Sequence, residues 1–501
     1  MSDRPVTRLN PAVAVGLALV FAIPCAAFAI LCLRHFYILG GFWGDSGSIA
    51  AVLWHNDLTL RAPLVHGGGS FLSTHTSLTL LPITWVSWAV PLTRVQFFAA
   101  FTGVIHALLA VAVYWVLVSC YRMRGRFAVA AAAVVALMFG FNGLAIAIAR
   151  NPHYELLFSV TAIFFLIGLI LDRPVTMMVC FIACLGTRED SGFHLFGFLA
   201  VLAAIERWHG VPLAAQRRVL ILAAIALLSG LVSVLAQRLA FADGGHSLGG
   251  VYIGDPPFAG ITTALLLERL AFWYLYRPYL VLPAVGAAIW AVRSRSLYPI
   301  AGYLAFVPWA VLHLFAKSEL AGTLSNYYPF PFIVAAFWPL LGAVLSRRRL
   351  GTAAPGPRTA AAFALLTLSS FIGIDRQHNP GRLDLPESFL EAPSRDLQHH
   401  TDQALALIAG SGALGQVAVD AGTASLLPDQ YSPSQTITLW PGPVPDTVIY
   451  FVRGFEAERA IAMARDAGLD RHFAVPATAI RVATNRPLDG LAGLVRDADW
   501  R

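Results

Sequence analysis

Long apolar runs separated by short polar punctuation occupy the first three quarters of the chain. A helix needs about 20 apolar residues to cross the hydrocarbon core. On that measure the pattern predicts spans at 11–34, 94–119, 126–144, 153–171, 174–188, 191–206, 218–241, 269–292, 297–316, 328–346 and 358–374. A further apolar stretch, 76–92, contains Pro82 and Pro91 and is flanked by polar residues.

Charge decides how these runs are threaded. Arginines cluster at Arg122, Arg124 and Arg126, at Arg217 and Arg218, at Arg293 and Arg295, and at Arg347, Arg348 and Arg349. Cytoplasmic loops carry such an excess. With Arg4 and Arg8 also inside, an even number of crossings must separate the N-terminus from Arg122. Spans 11–34 and 94–119 supply both, so 76–92 is expected as an interfacial or re-entrant helix in the first outer loop. Such backbone is tolerated at depth only where protein or a water-filled cavity surrounds it. The run from Pro11 is too long for a signal-peptide core, despite the small-x-small Ala27-Phe28-Ala29, and is read as an uncleaved first span.

After Ile374 the composition turns polar, leaving about 125 residues, enough for a small domain. Gly415–Val419, Val448–Val452, Phe473–Val475 and Ile480–Val482 read as short strands, and Glu456–Gly468 as an amphipathic helix. The expectation is therefore a mostly α protein: a polytopic transmembrane bundle of about 11 spans over 1–375, then an extracytoplasmic α/β domain over 376–501.

Composition agrees. Apolar residues make up 57% and charged residues 13% of the chain, and the mean hydropathy is +0.67. Soluble proteins carry about a quarter charged residues. The formal charge of +7 sits in loop-sized clusters rather than a groove, which argues against nucleic acid. The five cysteines lie in or beside apolar runs and read as small hydrophobes.

Four polar clusters fall on the outer face by the same parity. The first outer loop holds Gly44-Asp45-Ser46, then Gly67-Gly68-Gly69-Ser70 and His75. Asp45 suits either an N-cap or a general base at the membrane surface. The second cluster is Arg150-Asn151-Pro152-His153-Tyr154-Glu155, in which His153 and Glu155 would not share a helix face. The third is Arg188-Glu189-Asp190, with His194 one turn on. Charges at such depth pair, face a cavity, or both. The fourth holds Lys317, Glu319, Tyr327 and Tyr328, with Arg269 and Arg277 near the outer half of another span. An aromatic belt explains the tyrosines equally well, and snorkelling explains the arginines. Together, carboxylates, histidines and arginines at a lipid–water boundary suit chemistry on a lipid phosphate.

At this point the chain resembles a bacterial family of polytopic membrane proteins of unknown function, itself similar to GT-C-type glycosyltransferases. The matching stretches are Gly44-Asp45 with Leu53-Trp54, Ser73-Thr74-His75, Asn151-Pro152-His153-Tyr154-Glu155, and Arg188-Glu189-Asp190, where the family tends to Lys-Glu-Asp. The Tyr-Pro-rich outer segment and Val417–Leu427 also fit. The resemblance implies a GT-C architecture and transfer of a sugar from a polyprenyl-phosphate carrier to an outer-face acceptor in the cell envelope. Its implied catalytic set is Asp45, Glu155, Arg188, Glu189 and Asp190, with Arg188 steadying the departing phosphate. His75, His153, Arg150, Tyr327, Tyr328 and Arg277 are the expected substrate contacts. Many GT-C enzymes pair two acids in this loop, whereas Gly44 precedes Asp45 here, which leaves metal use open. Asp45, His75 and Glu155 would be the ligands of any divalent cation (Mg or Mn). The expected location is the inner (cytoplasmic) membrane, with the N-terminus cytoplasmic. A transporter or flippase, and a non-catalytic envelope assembly protein, are the competing readings.

Overall fold

The computed structural model describes residues 10–38, 44–55, 58, 71–123, 125–149, 151–241, 252–254, 256–325, 327–351, 390, 392–410, 414–427, 437, 440, 444–452, 454, 456–488 and 494–496. Helix α1 (Pro11–Tyr37) starts where Asn10 accepts a bond from the Ala12 N–H and Pro11 fills the first helical position. It lies against α5 (Arg94–Ser119), which opens on a Thr93/Gln96 capping box. Gly103 permits this approach: a Cβ there would stand 2.3 Å from the Cys25 carbonyl oxygen.

Between these two lie α2 (Gly44–His55), α3 (Phe71–Thr74) and α4 (Leu80–Ser87). The expected surface segment 76–92 is thus a helix of 8 residues, about 12 Å long and too short to cross. Thr79 anchors its start, donating from its N–H to the Gly186 carbonyl (2.9 Å) and from Oγ1 to that of Ala183 (2.7 Å).

Helices α6 (Arg126–Gly140) and α7 (Gly143–Ala149) are bent by 47° at Asn142, whose side-chain oxygen accepts from the Leu144 and Ala145 N–H groups. An antiparallel hairpin follows, α8 (Leu156–Ile170) and α9 (Pro174–Leu185), and then α10 (Ser191–Trp208) and α11 (Leu213–Ala240). Gly192 meets Gly230 and Ala226 in the last pair, close enough that a Cβ would collide with backbone.

The expected span 269–292 is bent rather than straight. It is two helices, α12 (Thr263–Tyr276) and α13 (Pro278–Ser294), turned by 83° at Arg277. Pro278 is the cause: it lacks the N–H that would continue α12 and disfavours helical backbone at the residue before it. After a 3-10 turn at Tyr298–Ile300 come α14 (Ala301–Leu314), α15 (Glu319–Gly322) and α16 (Phe330–Leu350). The apolar stretch of α16 is 89% buried against 28% for α11 and 33% for α1, so α16 is a central helix and the other two face outward.

Of the described helices, α1, α5, α11 and α16 are each long and apolar enough to cross a membrane, and the bent pairs bring the number to 6. The pattern expected about 11. The difference lies in the shorter apolar helices α8, α9 and Tyr298–Leu314, in α10, which is not among the helices long and apolar enough to cross, and in span 358–374, which lies outside the described residues. In α8 the apolar run begins in a turn rather than a helix, which removes its first three residues from the crossing.

The C-terminal domain is α/β as expected; its boundary near 375 lies outside the described residues. It comprises α17 (Arg395–Gly410), β1 (Val417–Val419), α18 (Ala421–Leu426), β2 (Thr447–Phe451), α19 (Ala457–Asp466), β3 (Arg471–Ala474), β4 (Ile480–Thr484) and β5 (Val495–Arg496). The sheet order is β1-β2-β4-β3-β5, with β1 parallel to β2 and the remaining pairs antiparallel. Ala457, Ala460 and Ala464 turn α19 onto the sheet. The domain docks on the start of the bundle. Tyr37 donates its hydroxyl to Asp402 (3.1 Å), Gln96 to Gln398 (3.0 Å), and Arg94 to the carbonyls of Ser425 (2.8 Å) and Leu427. Here α18 rests on α2 so closely that a Cβ on Gly47 would stand 2.5 Å from that of Ser425.

Candidate functional site

The turns that open α8 and α10 bring the second and third clusters together. Pro152 disfavours helical backbone at Asn151, and residues 151–155 lie outside a helix, with a turn at Tyr154 and Glu155 before α8 begins. Glu155 occupies the N-cap of α8 and Asp190 that of α10, yet neither carboxylate caps its helix. Both are turned instead onto Arg188.

Arg188 is the hub. Its Nη1 bonds to Glu155 Oε1, its Nε lies 3.0 Å from Asp190 Oδ1, and its Nη2 lies 3.6 Å from Glu189 Oε1. Glu155 is fully buried and Glu189 nearly so. Glu189 extends the network to the first outer loop, with Oε1 3.3 Å from His75 Nδ1 and Oε2 accepting from the Thr76 N–H at 3.1 Å. His153 Nδ1 comes within 3.7 Å of Glu155 Oε2, contrary to the helix-face expectation, because both precede the helix. Tyr327 stacks on His153 with centroids 4.0 Å apart, and the Tyr154 ring stands 5.9 Å from that of His75.

Three carboxylates share the one guanidinium of Arg188, and hydrogen bonding is not complete. Burial alone would push Asp190 up, but Arg188 and His194 outweigh it and hold the carboxyl below its ordinary value. Among the described buried atoms, Glu155 Oε2, Asp190 Oδ1, His153 Nδ1, His194 Nε2 and the Tyr154 hydroxyl have no hydrogen-bond partner. Each such group costs about 1–3 kcal/mol unless something else satisfies it. Asp190 Oδ1 nonetheless faces Arg188 Nε at 3.0 Å, and Glu155 Oε2 faces His153 Nδ1 at 3.7 Å.

A wall of rings absent from the expected set continues from His194. Trp309 stands 4.5 Å from it, and His313 lies 5.4 Å from Tyr328. The Tyr252 hydroxyl is 3.4 Å from His313 Nε2. Trp309 and His313 share a face of α14 at i, i+4 spacing, which was the available signal.

Arg277 sits apart from the hub, at the break between α12 and α13. Its Nη2 donates to Ser325 Oγ at 3.0 Å, and its guanidinium lies 4.9 Å from the Phe272 ring centre. It is 3% exposed, its Nε has no partner, and no carboxylate pairs with it among the described residues. Arg269 donates to the Leu314 carbonyl (2.6 Å).

Asp45 lies in the first turn of α2, and its side chain is outside the described residues, as is the whole of Arg150. The neighbour of Asp45 is placed: Ser46 Oγ donates to the Pro152 carbonyl at 2.6 Å, so α2 begins beside the His153–Glu155 turn. Of the expected metal contacts Asp45, His75 and Glu155, the Asp45 side chain lies outside the described residues. Among the described residues no three His, Cys, Asp or Glu side chains converge on one point, and the Arg188 guanidinium stands between the carboxylates.

One solved structure resembles the chain: ArnT from Cupriavidus metallidurans bound to undecaprenyl phosphate. The two align over 94% of this chain and 97% of that one, at 14% identity and a TM-score of 0.48. No family model matches the sequence, and no curated protein matches it.

Proposed function

We propose that this chain is a GT-C-type membrane glycosyltransferase that moves a sugar from a polyprenyl-phosphate carrier to an acceptor at the end of the bundle holding Arg188. The observation that carries the reading is the buried cluster of Glu155, Arg188, Glu189 and Asp190, rimmed by unpartnered His153, Tyr154 and His194 atoms. A set of charges kept dry at a helix end fits chemistry at the lipid–water boundary better than it fits stability, since buried ion pairs add little to folding. The sequence resemblance at Gly44-Asp45, Asn151–Glu155 and Arg188–Asp190 supports the same reading.

In the proposed reaction the acceptor hydroxyl gives its proton to Asp45 as its oxygen bonds the anomeric carbon. The bond from that carbon to phosphate breaks, and its electron pair leaves with the polyprenyl phosphate. Arg188 is already committed to Glu155 and Asp190, so it serves as the scaffold of the carboxylates. Arg277, a buried cation with a free Nε and the Ser325 hydroxyl beside it, is the better receiver of phosphate charge. Tyr327 and Tyr328 supply ring faces toward the sugar. No step is routed through a metal.

The test replaces Glu155→Gln, Arg277→Ala and Asp45→Asn, one at a time, in cells lacking the native gene. Envelope glycans and lipid-linked sugars are then profiled at matched protein levels. Loss of one glycan with accumulation of its outer-leaflet carrier is expected. Unchanged profiles in all three variants would defeat the proposal. The broken α12–α13 pair is the feature that favours a transporter, and accumulation confined to the inner leaflet would select that reading.

A further inference from the structure

The end of the bundle opposite Arg188, where α5, α8 and α16 finish and α9 begins, carries two neighbouring cavities of contrasting charge. One, of about 360 Å³, pairs two of its three arginines: Arg218 with Asp172 at 2.9 Å and Arg349 with Glu206 at 3.0 Å. The other, of about 450 Å³, is lined by Arg122, Arg173, Arg347 and Arg348, with Trp115 and Leu171 as apolar walls and no carboxylate among the described residues. Arg348 is tied to the Ile170 carbonyl between the two. The side chains of Arg122, Arg173 and Arg347 make no ion pair or hydrogen bond among the described residues.

Sequence explains why nothing neutralises this cavity from within. No Asp or Glu occurs between Asp57 and Glu155, or between Glu319 and Asp375, so the segments bearing Arg122 and Arg347 hold none. Arg122 is also held at φ 55°, a left-handed conformation unfavourable for a side chain of this size. An excess of cytoplasmic arginine requires a count per loop; it does not require residues from three segments to line one concavity.

We propose that this arginine cavity binds a phosphate-bearing anion, chiefly the phosphodiester headgroup of an anionic membrane lipid. Guanidinium groups match phosphate oxygens in pairs, and basic pockets between spanning helices on this side of membrane proteins suit lipid headgroups. Trp115, one turn from the end of α5, and Leu171 give the glycerol and first acyl carbons an apolar wall. The neighbouring cavity shares the location but pairs two of its three arginines with carboxylates, so it is the internal control.

The full-length protein in detergent is titrated separately with dioleoylphosphatidylglycerol, dioleoylphosphatidylcholine, sodium phosphate and ADP, following retained ligand by native mass spectrometry and thermal unfolding. Phosphatidylglycerol is expected to bind at least tenfold more tightly than phosphatidylcholine. Each arginine is worth about fivefold, so the Arg122→Gln/Arg347→Gln variant should lose about 25-fold, whereas Arg218→Gln should lose nothing. Phosphate or ADP binding without lipid selectivity keeps the phosphate site and assigns it a soluble ligand. Equal binding of the two lipids with no effect of phosphate or ADP overturns the proposal, as does an equal loss in Arg218→Gln. Should the double variant fail to fold, the wild-type selectivity and Arg347→Lys, expected to fall between wild type and loss, decide the matter. Neither readout involves sugar transfer, so this site and the catalytic proposal fail separately.

Discussion

The α8–α9 hairpin carries charge at both of its ends, under opposite conditions. At one end Glu155 and Arg188 are sealed from solvent, every charge meets an opposite charge, and several polar atoms still lack partners. At the other, Asp172 and Arg218 form an ion pair with side chains 76% and 48% exposed. Surface pairs of that kind contribute about 0.2–1 kcal/mol. A buried pair adds little net stability but is costly to break, because the survivor is left charged and dry. The same two helices therefore separate charge kept for chemistry from charge kept for solubility and orientation.

Arg188→Ala should show the largest effect. It strands Glu155, Glu189 and Asp190, and a loss of about 3–5 kcal/mol is expected, read as a fall in Tm of the detergent-solubilised protein. A loss under 1 kcal/mol would mean that water reaches the cluster, and the contrast between the two ends would collapse.

Asp420 extends the comparison to a buried carboxyl in the C-terminal domain. It accepts from the Thr423 N–H, yet burial pushes it up to about 7 from its ordinary 3.8. A carboxyl raised on folding favours the native state fully below about pH 4, and this contribution disappears as pH rises through about 7. That is on the order of 4 kcal/mol across the window. Limited proteolysis of the domain should therefore quicken between pH 5 and pH 8, and Asp420→Asn should flatten the dependence. An unchanged pH profile in the variant would remove Asp420 as its source.

Glu189→Gln keeps the shape but loses the charge that faces Arg188 and His75. About 1–3 kcal/mol should be lost, with a larger proportional loss of activity than of stability. Smallest of all is Arg218→Ala at the exposed end, at most about 1 kcal/mol by thermal unfolding. A larger loss would show that the opposite end is more than a solvated face.

Much of the fold was legible because apolar run length is a strong signal. The short helix at 80–87 follows from parity, and the same parity puts Glu155, Arg188, Glu189 and Asp190 at one end, where the structure brings them together. The break at Arg277 was missed although Pro278 announced it: hydropathy counts a corner and a straight helix alike. His153 and Glu155 were kept apart by assuming helical phase where the chain after Pro152 is not yet helical. The Tyr252, Trp309 and His313 wall was invisible because rings in apolar runs look the same whether they face lipid or a site. In the C-terminal domain the four expected strands were found within a few residues, whereas β5, only two residues long, offers no period to detect.

The contact between Arg94 and the carbonyls of Ser425 and Leu427 also has a meaning in time. Its partners lie 331 and 333 residues downstream. At a synthesis rate of about 5–20 residues per second, the first outer loop waits on the order of 15–70 s for the segment that pins it. Throughout that interval the α2 face that will receive α18 has been made and has nothing to rest on. Until then α2 has α4 and α5 to pack against. Truncation ahead of residue 395 would leave that wait without an end.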